Sequence, residues 1–419
     1  MATVQTSAQT ETVGAPPRSL GQHIRDYYRR LTGGELGALP AVAGLLVLCI
    51  IFAALRPEFL SARNFANLFT QGAQVTIIAM GLVFVLLLGE IDLSAGFASG
   101  VCAAVLAVLL TERHLPWYIA VAASIATGVV IGLVLGTLVA KVRIPSFVVT
   151  LAAFLAFQGL ALLMLKEGRN VSIDNAVILS IENKNLAVWL SWALLAVVVL
   201  GYLLVQLMRI RSRTARGLAA DPLSLVLVKV GTVAVLGGLA VYFLNIERSF
   251  NPLRVSLRGV PIVVPLILLL LVVWSFVLSR TSYGRHMYAV GGNQEAARRA
   301  GINVDRIRIS AFVICSSMAA IGGIAAASRA ASVDPSTGGS NILLYSVGAA
   351  VIGGTSLFGG KGRVLDAVLG GAVVTVIENG MGLMGLNAGT KYIVTGTVLL
   401  AAAGIDALSR RRAAAAGLR

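Results

Sequence analysis

Charge, histidine and cysteine are all scarce in this chain. Only 12% of its 419 residues are Asp, Glu, Lys or Arg, about half the share usual for a soluble domain. The three histidines, His23, His114 and His286, fall outside the apolar stretches and far apart, so no catalytic or metal-binding cluster is expected around them. The three cysteines, Cys49, Cys102 and Cys315, each lie in a different apolar stretch, which argues against a disulfide framework and a thiolate metal site. A phosphate loop is missing too. IGGTSLFGGKG, residues 352–362, has glycines and a lysine. Yet Thr355 stands where G-x-x-x-x-G-K-[ST] needs its first glycine, and Gly362 follows Lys361 in place of the magnesium-holding hydroxyl. The chain is therefore expected to hydrolyse no ATP and to hold no cofactor or metal of its own.

Apolar sequence is abundant. Hydrophobic residues make up 57% of the chain and the mean hydropathy is +0.88. They come in runs of about 20 residues, the length that crosses a hydrocarbon core of about 30 Å as a helix. Twelve such runs are read at roughly 39–56, 70–89, 94–111, 117–140, 147–165, 186–208, 224–244, 260–279, 309–328, 341–359, 364–385 and 391–408. The expected fold is all-α, a polytopic transmembrane helical bundle of ten to twelve spans. Residues 1–38 read as a mobile cytoplasmic tail, 39–408 as the membrane domain, and 409–419 as a basic cytoplasmic tail.

Acidic residues number 18 against 34 basic ones, a formal net charge of +16. With the N-terminus inside, twenty-two Lys/Arg fall on one side of the membrane and eleven on the other, mostly in two long loops. Short Lys/Arg-rich loops stay in the cytoplasm, so both termini are expected there. The positive charge is an orientation signal and not a nucleic-acid footprint.

Within the spans, Gly128, Gly132 and Gly136 recur every four residues, a spacing that lets helices approach closely in lipid. GEIDLSAG, residues 89–96, places Glu90 and Asp92 between two apolar runs. One reading is a tight turn in which Asp92 or Ser94 caps the next helix. The other is an ionisable break beside a solute pathway, because acids flanked by lipid-length segments are costly. Glu378 and Asn379 lie mid-span, where they either line a pathway or pin helices together. An uncharged solute needs hydroxyl-compatible walls and weak binding; candidates are Gln71, Glu90, Asp92, Gln158, Thr355, Ser356, Glu378 and Asn379.

The longest polar interruption on the inner side, apart from the tails and the 209–223 linker, is residues 280–308. There Asn293 can cap a short helix over 294–300 that Gly301 closes. Seven residues are too few for a free helix, which needs roughly 12, so this one is expected only when docked. Alanines 296, 297 and 300 leave one flank slim, suited to a groove.

YGRHMYAVGGNQEAARRAGINV (283–304) resembles the signature of permease subunits of the monosaccharide (ribose/xylose) class of ABC importers. LGEIDLSAG, KVRIPSFVVTLAAFLAFQGL (141–160), VIGGTSLFGGKGRVLDAVLGG and IENGMGLMG (377–385) resemble further signatures of that family, which together cover about residues 57–408. The insertion between about 167 and 260 is more similar to xylose-type permeases than to the shorter ribose type. Asp366 departs from the family's glycine, which puts close helix packing there in question and suggests Arg363 as a charge partner. The resemblance implies a multi-pass subunit of a bacterial plasma (inner) membrane that carries no enzyme activity itself. Implied partners are an ABC ATPase subunit that binds ATP and Mg, an extracytoplasmic sugar-binding protein, and a second permease subunit, favouring a homodimer in membrane lipid. By position, Gly284, Arg285, Tyr288, Gly292, Asn293, Glu295, Ala296, Ala297, Arg298 and Gly301 would form the ATPase-coupling helix and its approach. An ion-coupled secondary transporter is the alternative, but that class usually carries internal repeats and midplane coupling charges, and neither is evident here.

Overall fold

In a computed structural model of the chain, the described residues are 39–166, 168–218, 222–249, 251–252 and 256–415; both expected tails fall wholly or partly outside them. The elements in order are α1 (Leu39–Leu55), α2 (Ala62–Leu87), α3 (Ala95–Ala107, extended by a π-helical turn Val108–Glu112), α4 (Trp117–Ala140) and α5 (Ser146–Met164). There follow β1 (Val171–Ser172), α6 (Ala176–Asn183), α7 (Val188–Ala215), α8 (Leu223–Asn245), α9 (Val263–Arg280), α10 (Ser282–Gly292) and α11 (Gln294–Arg299). The chain ends with α12 (Val304–Ala330), β2 (Ser332–Val333), α13 (Ser340–Gly353), α14 (Val364–Leu383) and α15 (Ala388–Ala415). Each of the twelve apolar runs coincides with one helix. Among the described residues nine helices are long and apolar enough to cross a membrane, and Leu39–Leu55 and Asn341–Gly353 are shorter apolar helices. The protein is a polytopic helical membrane protein, and its only strands among the described residues are the antiparallel pair β1–β2.

Local chemistry sets the helix boundaries. Pro116, Pro145 and Pro222 immediately precede α4, α5 and α8, where a fixed φ and a missing N–H cost nothing. Ser61, Asn175, Thr281, Asn293 and Asn303 accept first-turn N–H groups at the starts of α2, α6, α10, α11 and α12.

Two compact units result. One comprises Leu36–Asn185 and Pro261–Arg411. Its interior is built on α2, whose Ile77, Ile78, Met80, Leu82 and Phe84 are fully buried. Phe84 meets Trp274 of α9 edge-on at 5.1 Å, and the Trp274 indole N–H points at Met318 Sδ of α12, 3.1 Å away. The Gly128/Gly132/Gly136 row seats α4 directly on the α12 backbone near Ser316, Val313 and Ile309, where any Cβ would overlap. This is the close packing the spacing predicts.

The second unit contains Leu186–Val260. Few residues of its hairpin α7–α8 are buried, and several of the described residues after α8 gather on one carboxylate. Glu247 accepts from the Ser249 and Leu257 N–H groups at 3.0 and 2.9 Å, Ser256 Oγ at 2.7 Å and Arg258 Nε at 3.0 Å. The Ser256 hydroxyl above all, with the Leu257 and Ser249 N–H groups, holds its carboxyl down at about 2.

Candidate functional site

Two clusters at opposite ends of α2 gather most of the candidate residues. The first lies where α2 stops. The Gly89 and Glu90 N–H groups close the helix onto Leu86 and Val85, and Gly89 takes φ +72°. Asp92 Oδ1 accepts from the Ser94 N–H at 2.8 Å and from Ser94 Oγ at 2.6 Å, while Oδ2 is buried without a hydrogen bond. Asp92 thus braces the turn into α3 but does not cap that helix as the turn reading expected, and Ser94 makes no side-chain cap bond either, whereas Glu90 makes a partly buried ion pair with Arg308 of α12.

The glycine-rich link 354–362 closes on the same place. Its Gly360 N–H donates to Leu87 O at 2.8 Å, and Ser356 N–H donates to Lys361 O at 2.8 Å. Thr355 and Ser356 are 1% and 2% exposed. From the polar arm, Tyr288 donates its hydroxyl to Gly362 O at 2.7 Å, and Gly291 packs on the Leu87 carbonyl so closely that a Cβ would overlap it. At the start of α14, Arg363 pairs with Asp366 at 2.7 Å, and Asp366 accepts the Arg363 N–H at 2.8 Å. Close packing survives this departure because Gly353 of α13 lies directly against the Asp366 backbone.

The arm itself is two consecutive helices. Asn293 Oδ1 accepts the Ala296 N–H at 2.9 Å, α11 runs Gln294–Arg299, and Gly301 takes φ +81°. The expected helix is present one residue shorter. Sequence reading missed α10 before it, because Gly284, Gly291 and Gly292 lower helix propensity. Burial of Met287 and Val290 overrides that penalty. Ala297 needs a correction: it is 4% exposed and packs into the protein's own core, so it is no free flank. Arg285, Glu295, Ala296, Arg298, Arg299 and Ala300 form the exposed surface instead.

The second cluster surrounds a cavity of about 430 Å³ at the other end of α2. Asn64 and Asn379 exchange amide hydrogen bonds in both directions at 2.9 Å, and Asn379 also donates to Gln71 Oε1 at 2.9 Å. Asn379 therefore pins α14 to α2, while its neighbour Glu378 faces the cavity. Arg329, Lys391, Asn67 and Gln74 complete the polar wall, and Gln74 Nε2 is buried without a partner. None of the lining residues is aromatic. Sequence reading missed Asn64, Gln74, Arg329 and Lys391: Asn64, Arg329 and Lys391 sit in terminal helix turns and Gln74 mid-way along α2, and no motif flags any of them. Of the eight pathway candidates, Gln71, Glu378 and Asn379 meet here. Glu90, Asp92, Thr355 and Ser356 gather near the arm, and Gln158 lies on an exposed face of α5.

Short helix α6 docks on the α12 terminus beside this cavity. Ser328 Oγ accepts the Glu182 N–H at 3.0 Å, and Asn183 donates to Ser328 O at 2.6 Å. Burial pushes the Glu182 carboxyl from 4.5 up to about 8, against an opposing pull from Arg329. A raised acid contributes its full stability below its unfolded value and loses it as pH climbs through the folded one. Thermal unfolding in detergent is thus expected to show stability falling between pH 4.5 and 8, with a flatter profile in Glu182→Gln.

Gly380, Gly382 and Gly385 have the spacing of a dinucleotide loop, but they lie at the end of α14, and a helix rather than a strand leads into them. No group of three or more His, Cys, Asp or Glu suited to a metal occurs among those residues.

Comparison with known proteins places this architecture. Residues 64–403 match the family described as "Branched-chain amino acid transport system / permease component". The xylose transport system permease protein XylH of Escherichia coli K12 is 36% identical over 355 residues, 84% of this chain and 87% of that protein. XylH of Haemophilus influenzae is 33% identical over 371 residues, 88% and 96% of the two chains. The ribose import permease protein RbsC of Escherichia coli K12 is 30% identical over 378 residues, 90% and 96%. No solved structure matches. With a broken α2–α3 junction, a docked polar arm and a polar cavity on one helical framework, this chain belongs to that permease family, as a multi-pass membrane subunit of a transport system.

Proposed function

We propose that the chain forms the translocation pathway of an ATP-driven monosaccharide importer, with a pentose such as xylose as the favoured cargo. The observation that carries this reading is the cavity. Amides, a carboxylate, a guanidinium and an ammonium converge on about 430 Å³ of space with no aromatic platform. Such a wall offers donors and acceptors to sugar hydroxyls, and the missing stacking surface keeps binding weak, as passage requires. The family description mentions amino acids, but the relatives quoted are named for xylose and ribose.

The partners in this reading are a separate ATPase holding ATP and Mg, an extracytoplasmic sugar-binding protein, and a second permease subunit. The exposed face of α11 meets the ATPase, so that its side of the membrane, with both termini, is cytoplasmic. Helices α2, α12 and α14 each reach both clusters; along α2, Gln71 and Leu87 lie about 24 Å apart at ~1.5 Å per residue. Displacing the arm therefore moves helices that also line the cavity.

The test is uptake into proteoliposomes holding the permease, its ATPase and its binding protein, with labelled pentoses and hexoses. ATP-dependent accumulation that needs the binding protein is expected. Accumulation by the chain alone on an ion gradient would establish the secondary-transporter alternative.

A further inference from the structure

The geometry points to Glu90 and Arg308 as the positioning link between the coupling arm and the α2–α3 break, outside any solute pathway. This inference rests on the transport reading above. Arg308 stands in the second turn of α12, just beyond the end of the arm at Gly301, and its guanidinium pairs with Glu90, 218 positions earlier in the chain. Both side chains are largely buried, at 18% and 10% exposure.

Glu90 is held from both sides. Its own N–H donates to Val85 O at 3.2 Å. The next peptide is gripped by α5: Ile91 N–H donates to Ser146 Oγ at 3.3 Å, and Thr150 Oγ1 donates to Ile91 O at 3.2 Å. A pull on Arg308 therefore acts on the end of α2, the turn into α3 and the first turn of α5 together. Arm contacts at Gly291 and Tyr288 press on the neighbouring Leu87 and Gly362. The ion pair is the charged tie in that assembly.

Its chemistry suits a link better than a static anchor. Desolvation cancels much of the attraction in a buried ion pair, so such pairs are poor stabilisers but hold one register against others. Arg308 Nε is buried with no hydrogen-bond partner, so this guanidinium is incompletely satisfied in the present state. A second arrangement of the break, supplying that partner, would compete with the observed one.

The measurement is sugar moved per ATP hydrolysed by the full importer, at matched membrane abundance. Glu90→Gln and Arg308→Gln are each expected to lower that ratio about tenfold, with the swap Glu90→Arg/Arg308→Glu recovering much of it. A pair that only stabilised the fold would change abundance and leave the ratio alone. Wild-type ratios in both single variants, or a swap no better than the singles, would overturn the link. Should the singles fail to accumulate, Glu90→Asp keeps the charge and shortens the reach; it is expected to lower the ratio about threefold, and an unchanged ratio would also overturn the link. A wild-type complex without ATP-driven sugar uptake would instead remove the transport reading, and the two failures are told apart by that control.

Discussion

Replacing Gly291 with leucine is expected to abolish uptake, at least a hundredfold, while the protein still inserts into the membrane. The Cβ would overlap the Leu87 carbonyl at the end of α2, a backbone atom that cannot swing aside. Overpacking of a core costs about 1–3 kcal/mol even where side chains can yield. Here the arm must lift from α2 and, with it, from the Gly360 amide bonded to the same carbonyl. Gly292 gives the contrast. Nothing lies within 4 Å of its would-be Cβ, so leucine there leaves this chain's packing intact, and under the proposed function a loss of uptake would report on ATPase docking. Labelled-sugar uptake into vesicles, with the ATPase retained on the purified complex scored alongside, checks both variants. Normal transport by Gly291→Leu would show that the arm's seat on α2 carries no force.

The second large effect separates two adjacent residues. Asn379→Leu removes both halves of its exchange with Asn64 and the bond to Gln71. At about 0.6–1.7 kcal/mol per interhelical hydrogen bond in a membrane protein, the loss of three comes to about 2–5 kcal/mol. A clear drop in the thermal midpoint in detergent is expected, along with lost uptake. Glu378→Gln, one position earlier, faces open cavity and should keep the midpoint while lowering uptake about tenfold. Equal midpoints for both variants would show that Asn379 does not clamp α14 to α2, and full uptake by Glu378→Gln would take that carboxylate out of the solute path.

That contrast also marks where sequence reading reaches its limit. Each apolar run became a helix, and Asn293 and the Gly128/Gly132/Gly136 row did what their positions suggest, because capping and close approach depend on residues near in sequence. Facing is another matter. In a membrane the lipid side and the packed side of a helix are both apolar, so periodicity cannot tell them apart. Gln158 and Ala297 show the consequence: one turned outward and the other inward, against expectation. The Glu90–Arg308 pair was hidden for a related reason. Arg308 reads as one more inner-surface charge, and nothing local ties it to an acid 218 residues away.

The reciprocal grip of Asn64 and Asn379 has a consequence for how the two helices can move. Each amide spends a donor and an acceptor on its twin, so neither half can let go alone. Sliding α14 along α2 by one turn, about 5.4 Å, would strand both groups at once. The pair therefore behaves as a latch with two catches, engaged or released as a whole.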